Sequence, residues 1–367
     1  MTLRERIEAV FHGRIPDAMA WFADLTYWYS AHTQMGDVPQ RWSGPRGIGQ
    51  LHREYHVGEY VPGCCAYTTQ EGEQVSVHTA EIAGQFITTW QTPVGALRSV
   101  KAYSAPSYSY GYTEHPVKDA RDLRVLRYII EQRRFHPDPA AVARIDAEYD
   151  DYGLPIVAVP ASPISELNKT WTGVMNLGYL LADARDEVEA TLQVMAENQT
   201  ALYRITEEAA CGYVMICENL TAETMGGLFA RYSRDYLAMR VADLHAHGKK
   251  TLIHIDGTMR GVVEGIADIG IDCIDSFTPA PVGDVSLEEI RTLTGDDILI
   301  LGGLPGAMFA PPFTETDLAH YVRNLIRLHK DSGRFMLGVA DQVPPNGDIR
   351  LVRMVSDLVE KYGGYHA

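Results

Sequence analysis

Six short apolar runs, each followed by an amphipathic helical segment, occupy the chain from about residue 151 onward. Runs without polar alternation are typical of parallel strands that are buried on both faces. The runs lie at 155–162, 212–220, 251–256, 271–276, 297–303 and 334–341. Parallel strands need right-handed crossovers, and a series of this length fits a closed barrel better than an open sheet. We therefore predict an α/β fold of the (β/α)8, or TIM-barrel, type.

The N-terminal part of the chain has to supply a further barrel strand, and the apolar run at 18–25 is the candidate. Residues 51–150 interrupt the βα pattern. Alternating segments at 73–104 predict an antiparallel meander, and 119–134 reads as a helix. Because no Ser/Gly-rich linker sets this region apart, we predict one barrel domain, 1–367, whose 51–150 insertion covers one end.

The composition excludes several classes of protein. A formal net charge of -16 argues against a nucleic-acid binder and against a polybasic membrane-surface protein. No apolar run approaches the roughly 20 residues that span a bilayer, and the N-terminal helical segment lacks the apolar core of a signal peptide. We expect a cytoplasmic protein. The five cysteines form no CxxC pair, which argues against a thiolate zinc knuckle.

The chemistry of a (β/α)8 barrel sits at the carboxyl ends of its strands, so strand-end residues are the candidate site. Each of the last six strands ends in polar residues or glycine. These are Ser162, Glu218 with Asn219, His254 with Asp256, Asp275 with Ser276, Gly302 with Gly303, and Asp341 with Gln342. An imidazole and several carboxylates are therefore expected on one rim of the barrel.

His254 and Asp256 lie two residues apart and so face the same side of their strand. An imidazole with carboxylates is a ligand set suited to Zn²⁺ or a similar divalent ion. Glu218 and Asp341 are candidates for the remaining positions. The alternative is purely structural: Asp256 caps the following helix, and His254 bonds a backbone carbonyl.

An aromatic cluster at 19–32 is the candidate for substrate binding, although such clusters are also common in hydrophobic cores. Polar residues interleave with its rings, which suits a pocket for a planar or apolar substrate. The candidate substrate-binding residues are Trp21, Phe22, Asp24, Tyr27, Trp28 and Tyr29, together with Asn219 at a strand end. The motifs GxSxG, HExxH and the P-loop are absent, which argues against serine hydrolases, zincins and P-loop NTPases.

Several segments resemble, in order, the uroporphyrinogen decarboxylase superfamily. They are "RERIEAVFHGRIPDAMAWFADL", "GYVMICENLTAE", "GKKTLIHIDG", "IGIDCIDSFTP", "LGGLPG" and "FMLGVADQVPPNGD". The resemblance runs through nearly the whole chain and implies a (β/α)8 barrel. True uroporphyrinogen decarboxylases carry an arginine-rich first-strand loop for substrate carboxylates. Here the corresponding "WFADLTYWYSAH" has no arginine, and the chain is acidic, so this branch is disfavoured.

The other branch, the cobamide-dependent methyltransferases, holds Zn²⁺ with an HxC pair and a cysteine from the last strand. The resemblance places His254, Asp256 and Asp341 at these positions, so carboxylates replace both thiolates. A metal held by carboxylates is in a harder ligand set than one held by thiolates, and it prefers a substrate that binds through oxygen. The sequence looks closest to the demethylase-type relatives of this branch.

The resemblance implies a methyltransferase of the O-demethylase type. In this hypothesis Zn²⁺ polarises the oxygen of a methyl ether, such as a methoxy-aromatic, and the methyl group passes to the corrinoid of a partner protein. His254, Asp256 and Glu218 are the candidate catalytic residues, with Glu218 as a fourth metal ligand or general acid. A homodimer is usual in the superfamily. Two alternatives stay open: a decarboxylase or lyase that uses His254 and Asp256 as acid and base on a small acid, and a barrel without catalytic activity.

Overall fold

A parallel sheet of seven strands forms the centre of the protein. The computed structural model describes residues 1–365. Its strands are β1 (Trp21–Phe22), β2 (Tyr67–Gln70), β3 (Ser76–Ile82), β4 (Gln85–Thr92), β5 (Gly95–Ser104), β6 (Ser109–Glu114), β7 (Arg134–Pro137), β8 (Ile156–Pro160), β9 (Tyr213–Leu220), β10 (Lys250–Ile255), β11 (Cys273–Phe277), β12 (Leu299–Pro305) and β13 (Phe335–Ala340). The order β1-β13-β12-β11-β10-β9-β8, with every neighbouring pair parallel, confirms the predicted α/β barrel fold.

Helices follow the barrel strands and surround them. The α-helices are α1 (Leu3–Phe11), α2 (Thr26–Met35), α3 (Gly47–Tyr55), α4 (Ala120–Gln132), α5 (Pro139–Tyr149), α6 (Pro163–Glu166), α7 (Gly173–Asp183), α8 (Arg185–Glu208), α9 (Ala222–Leu228), α10 (Arg234–Ala246), α11 (Val263–Ala267), α12 (Ile290–Thr294), α13 (Glu315–His329) and α14 (Arg350–Tyr362). Capping residues set several of the starts: Thr314 forms a capping box with Asp317 before α13, and Asp119 caps α4. Across residues 1–365, no helix has the length and apolar character that crossing a membrane requires.

The segment 57–64 closes the barrel between β1 and β8. The Gly58 amide donates to the Trp21 carbonyl (3.1 Å), and the Gly58 carbonyl accepts from the amide of Ala23 (3.0 Å). On the other side, the Ala158 amide donates to the Cys64 carbonyl (2.9 Å). These isolated parallel bridges occupy the eighth position of the barrel. The predicted insertion at 51–150 therefore includes a piece of the barrel wall.

The barrel interior is apolar at the amino ends of the strands. Side chains there alternate with those that face the surrounding helices, as expected for a pleated strand. The interior layers contain Ala20, Phe22, Tyr60, Leu154, Ile156, Tyr213, Met215, Leu252, Cys273, Leu299, Leu301 and Met336. Ile7, Val10 and Phe11 of α1 pack against this cluster and plug the amino end. Only the carboxyl end is left for a polar site.

The predicted antiparallel insertion is present in the N-terminal third. Strands β3, β4, β5 and β6 form a four-stranded meander, and β2 pairs with β7 in a second small sheet. Helix α4 packs on α8 of the barrel, where Arg127 donates to the Glu187 carboxylate at 2.6 Å. The insertion is thus attached to the outside of the barrel. The predictions that the insertion and the barrel form one domain, and that the insertion covers one end of the barrel, stay predictions.

The closing segment buries a carboxyl group beside a histidine. Glu59 Oε2 lies 3.7 Å from His52 Nε2, and both side chains are buried. The imidazole Nδ1 donates to the Val57 carbonyl, so Nε2 is left as an acceptor that faces the carboxyl group. Burial, together with the charges of Asp24 and Glu148, raises the pKa of Glu59 to about 8. Burial lowers the pKa of His52 to about 4. Glu59 is therefore protonated at neutral pH.

We expect Glu59→Gln to reduce the pH dependence of stability between pH 6.5 and 8. In this range Glu59 is ionised in the unfolded chain but binds a proton in the folded one, so the free energy of unfolding falls as the pH rises. The fall approaches about 1.4 kcal/mol per pH unit. His52 is neutral in the folded protein and opposes this fall only at the lower end of the range, where its imidazole is still partly protonated in the unfolded chain. Urea unfolding at several pH values measures the effect.

Glu81→Gln, a change at an exposed glutamate, is the control, and it should keep the wild-type pH dependence of stability. Parallel stability curves for the wild type and Glu59→Gln across this pH range would contradict the assignment.

Candidate active site at the carboxyl ends of the barrel strands

A pocket of about 280 Å³ opens at the carboxyl ends of the strands. Its walls come from the closing segment, from β9, β10 and β11, and from the loops after β1 and β13. The lining residues are Asp24, Tyr60, Val61, Pro62, Met215, Cys217, Asn219, His254, Asp275, Asp341 and Gln342. The pocket lies directly above the apolar interior layers.

The imidazole of His254 is held by a carboxylate on the neighbouring strand. His254 and Asp275 are register partners on β10 and β11, one layer above the apolar pair Leu252 and Cys273. Because the strands are parallel and in register, His254 Nδ1 meets Asp275 Oδ2 at 2.7 Å. Asp275 is buried, so its charge is weakly screened. The hydrogen bond leaves Nε2 directed toward Asp341 Oδ1, at 3.6 Å.

The surrounding carboxylates control the protonation of His254. Burial alone would lower its pKa. The hydrogen bond to Asp275 and the charges of Asp275, Asp341 and Asp256 outweigh burial and raise the pKa to about 9. For Asp341, burial and the neighbouring carboxylates raise the pKa to about 6, although His254 opposes the shift. In the absence of another cation, the imidazolium is the positive charge at the centre of an acidic pocket.

His254, Asp256 and Asp341 form a cluster whose ligand atoms all lie within 4.8 Å of one another. His254 and Asp256 come from the end of β10, and Asp341 directly follows β13. Ser276 Oγ donates to Asp341 Oδ1 at 3.3 Å. The structure thus brings together three of the four residues that the sequence proposed as metal ligands.

The structural alternative for His254 and Asp256 does not hold. Asp284, rather than Asp256, accepts the backbone amides that follow β10, from Met259 at 2.8 Å and from Arg260 at 3.3 Å. His254 bonds a carboxylate and not a backbone carbonyl. The His254 side chain therefore lines the pocket, and Asp256 lies beside it in the three-residue cluster.

Glu218 lies outside this cluster, in a buried network of serines. Its carboxylate accepts from the Ser162 amide at 2.7 Å, from Ser162 Oγ at 2.6 Å and from Ser165 Oγ at 2.5 Å. Ser233 Oγ lies 2.8 Å from Ser162 Oγ and extends the network. On β9 the pocket-lining residues are Met215, Cys217 and Asn219, so the strand's alternation turns Glu218 to the other face.

The aromatic residues of 19–32 are not among the residues that line the pocket. Trp21 Nε1 donates to Ser356 Oγ on α14 at 2.9 Å, and Phe22 belongs to the barrel interior below the pocket. On α2 the polar groups of the aromatic side chains donate hydrogen bonds to backbone carbonyls of other segments. Tyr27 donates to the Ser107 carbonyl, Trp28 to the Gly347 carbonyl and Tyr29 to the Trp42 carbonyl.

Two of the proposed substrate residues do line the pocket. Asn219 lies at its rim with a positive φ of 48°. Asp24 is buried and orients Gln342, whose Nε2 donates to Asp24 Oδ2 at 2.5 Å. Burial raises the pKa of Asp24, although hydrogen bonds from Gln342 and Thr26 oppose the shift.

Sequence reasoning did not assign roles to Asp275, Tyr60 or Gln342. Asp275 and Gln342 stood among the strand-end residues, and pairing β10 with β11 in register would have placed Asp275 beside His254. No sequence pattern marked Tyr60 as a site residue, because the closing segment shows neither the residue alternation of a strand nor the following helix of a βα unit. Burial and nearby carboxylates raise the pKa of the Tyr60 phenol well above 10, so the group stays protonated.

The cluster fits a divalent metal such as Zn²⁺. One imidazole nitrogen and two carboxylate oxygens converge, and each of these ligand types binds Zn²⁺ in proteins. The other imidazole nitrogen donates to Asp275, the arrangement in which a carboxylate orients a metal-binding histidine. His254, Asp256 and Asp341 are thus the residues that could hold the ion, with the pocket on its open side.

Comparison with known proteins identifies the family. Residues 104–362 match the family model described as uroporphyrinogen decarboxylase (URO-D). The fold resembles that of a methyltransferase from Methanosarcina mazei, with a TM-score of 0.61 and 12% identity over 99% of each chain. A D-psicose 3-epimerase from Clostridium cellulolyticum H10 aligns less well, with a TM-score of 0.32 and 9% identity over 57% of this chain and 89% of its own. No curated protein matches the sequence. Since the family model covers more than half of the sequence, the chain belongs to the uroporphyrinogen decarboxylase family.

Proposed function

We propose that this protein is a metal-dependent methyltransferase that takes the methyl group of a small methyl ether and passes it to the corrinoid of a partner protein. The observation that carries the proposal is the His254, Asp256 and Asp341 cluster, whose donor atoms converge within 4.8 Å at a pocket of about 280 Å³. The full-length likeness in fold to a methyltransferase supports the same reaction class.

The protein residues position the reacting oxygen. Asp275 orients His254 so that Nε2 faces the pocket, and Asp256 and Asp341 supply negatively charged oxygens beside it. When bound there, Zn²⁺ supplies Lewis-acid stabilisation of negative charge that develops on the ether oxygen. Hard carboxylate ligands suit such an oxygen better than the thiolates of a thiol-methylating site.

The reaction breaks the bond between the methyl carbon and the ether oxygen, and both electrons of that bond stay on the oxygen. The methyl carbon forms its new bond with an electron pair from the reduced corrinoid, the methyl acceptor. Tyr60 lines the pocket with a phenol that stays protonated, and in this proposal it would donate a hydrogen bond to the departing oxygen. The oxygen leaves as an alcohol or phenol after it takes a proton from solvent.

The charges in the pocket disfavour a polycarboxylate substrate. Asp24, Asp275 and Asp341 line it, and none of the described lining residues is an arginine or lysine. A substrate with many carboxylates would meet repulsion that no arginine or lysine of the lining offsets. A neutral methoxy-aromatic of small size fits the volume, with Tyr60, Pro62 and Met215 as apolar walls.

The purified protein should bind one Zn²⁺ per chain through His254, Asp256 and Asp341. Each of the variants His254→Ala, Asp256→Ala and Asp341→Ala removes one of three ligands, so bound zinc should fall to a small fraction of the wild-type content after dialysis. Elemental analysis of the dialysed proteins measures it.

Two variants serve as controls for zinc binding. Asp268→Asn should retain zinc, because Asp268 is an exposed residue at the C-terminus of α11. Glu218→Gln should also retain it, because three serine donors already occupy this carboxylate. Full zinc content in His254→Ala would contradict the assigned site.

We expect Asp275→Asn to lower the affinity for zinc by roughly 10- to 100-fold, as is usual for the partner of a metal-binding histidine. The same change removes the main influence that raises the pKa of His254, so this pKa should fall below about 9. Competition with a chromophoric chelator measures the affinity, and NMR titration of the metal-free protein measures the pKa. An unchanged pKa and affinity would show that Asp275 does not orient the imidazole.

The decisive experiment is an assay of methyl transfer from methoxy-aromatics to cob(I)alamin. The zinc-loaded wild type should form methylcobalamin and the free phenol in equal amounts, and His254→Ala should lose at least about 100-fold in rate. Asp268→Asn should keep the wild-type rate. Release of CO2 from a small carboxylic acid, without any dependence on cobalamin, would instead support the decarboxylase or lyase alternative.

A further inference from the structure

A second cavity, of about 390 Å³, lies between the insertion and the outer helices of the barrel. It is lined by Tyr67, Thr69, Glu71, Trp90, Ile130, Arg133, Phe135, Pro160, Glu166, Thr170, Trp171, Met195, Asn198, Gln199 and Leu202. It shares no lining residue with the pocket that contains His254. Its volume falls within the range of about 300–1,000 Å³ that is typical of small-molecule sites.

Two aromatic pairs form walls of this cavity. Trp90 of β4 and Trp171 of the barrel have ring centroids 5.6 Å apart, with planes inclined by 55°. Tyr67 of β2 and Phe135 of β7 lie 5.2 Å apart in an edge-to-face arrangement. Walls of this kind offer both ring faces and ring edges, which are the surfaces that bind a further aromatic ring.

The polar groups of the cavity leave one buried acceptor without a partner. Glu71 Oε1 accepts from Arg133 Nη2 at 2.6 Å and from Arg133 Nε at 3.1 Å. Glu71 Oε2 is buried and has no hydrogen-bond partner among the described residues. Such an atom is costly to bury unless a donor satisfies it. Since Arg133 balances the charge of Glu71, the missing donor need not be a cation.

Three other polar side chains of the lining, those of Asn198, Gln199 and Thr170, already donate hydrogen bonds within the protein. Asn198 Nδ2 donates to the Arg133 carbonyl at 3.1 Å, and Gln199 Nε2 donates to the Ala161 carbonyl at 3.1 Å. Thr170 Oγ1 donates to Glu166 Oε1 at 2.7 Å. Glu71 Oε2 is therefore a buried acceptor of the lining that a single ligand donor would satisfy.

We infer that this cavity is a second ligand site, which binds a neutral aromatic molecule through one N–H or O–H donor. The ring lies against Trp90 and Trp171, and its donor bonds Glu71 Oε2. The walls come from both the insertion and the barrel, so the ligand would join the two parts without entering the metal pocket.

Isothermal titration with indole tests the inference, with 1-methylindole as the matched ligand that lacks the donor. Indole should bind the wild type at one site per chain, and 1-methylindole should bind about tenfold or more weakly, because it cannot satisfy the buried carboxylate. Glu71→Gln and Trp90→Ala should each weaken indole binding to a similar extent. Glu71→Gln keeps an oxygen for Arg133, so it decides the question if Trp90→Ala does not fold.

Glu73→Gln, an exposed change two residues away, is the control and should bind indole as the wild type does. His254→Ala should also bind it normally, which separates this site from the proposed methyltransferase site. The inference fails if indole does not bind saturably, if both ligands bind equally, or if Glu71→Gln and Trp90→Ala leave its affinity unchanged.

Discussion

The hydrogen bond between His254 and Asp275 is the contact on which the candidate site depends. It joins two neighbouring parallel strands in register, so it determines that Nδ1 bonds Asp275 and where Nε2 points. With Nε2 aimed at Asp341, the side chains of Asp256 and Asp341 converge with it on one point. Without this contact the same residues would form an acidic rim with no defined centre.

This polar layer exists because the layer beneath it is apolar and closed. Leu252 and Cys273 lie below His254 and Asp275, and α1 plugs the amino end with Ile7, Val10 and Phe11. Water can therefore reach the charged layer from the carboxyl end only. Charges held in such a place are weakly screened and interact strongly, which explains why the pKa values of His254 and Asp341 are both raised.

Residues at the carboxyl ends of the strands were predicted to form the site, and only some of them meet in the structure. His254, Asp256 and Asp341 stand at the ends of β10 and β13, and the barrel geometry does bring them together. Glu218 met the same criterion, but the alternation of β9 turns it toward Ser162 and Ser165, and its role as a ligand or acid stays a prediction. The aromatic residues of α2 direct their polar groups to loops, since a buried ring donor needs an acceptor close by.

The sequence by itself determined the βα succession, the strand that carries His254 and Asp256, and the antiparallel insertion, because each of these follows from local periodicity. Only the tertiary structure decided that 57–64 closes the barrel, that Tyr60 and Asp275 face the pocket, and that Glu71 lies beside Trp90 and Trp171. The physical reason is the separation along the sequence of the residues that interact. Periodicity reports how neighbours along the chain share a face, whereas strand register and the packing of the insertion on the barrel depend on residues that are distant in sequence.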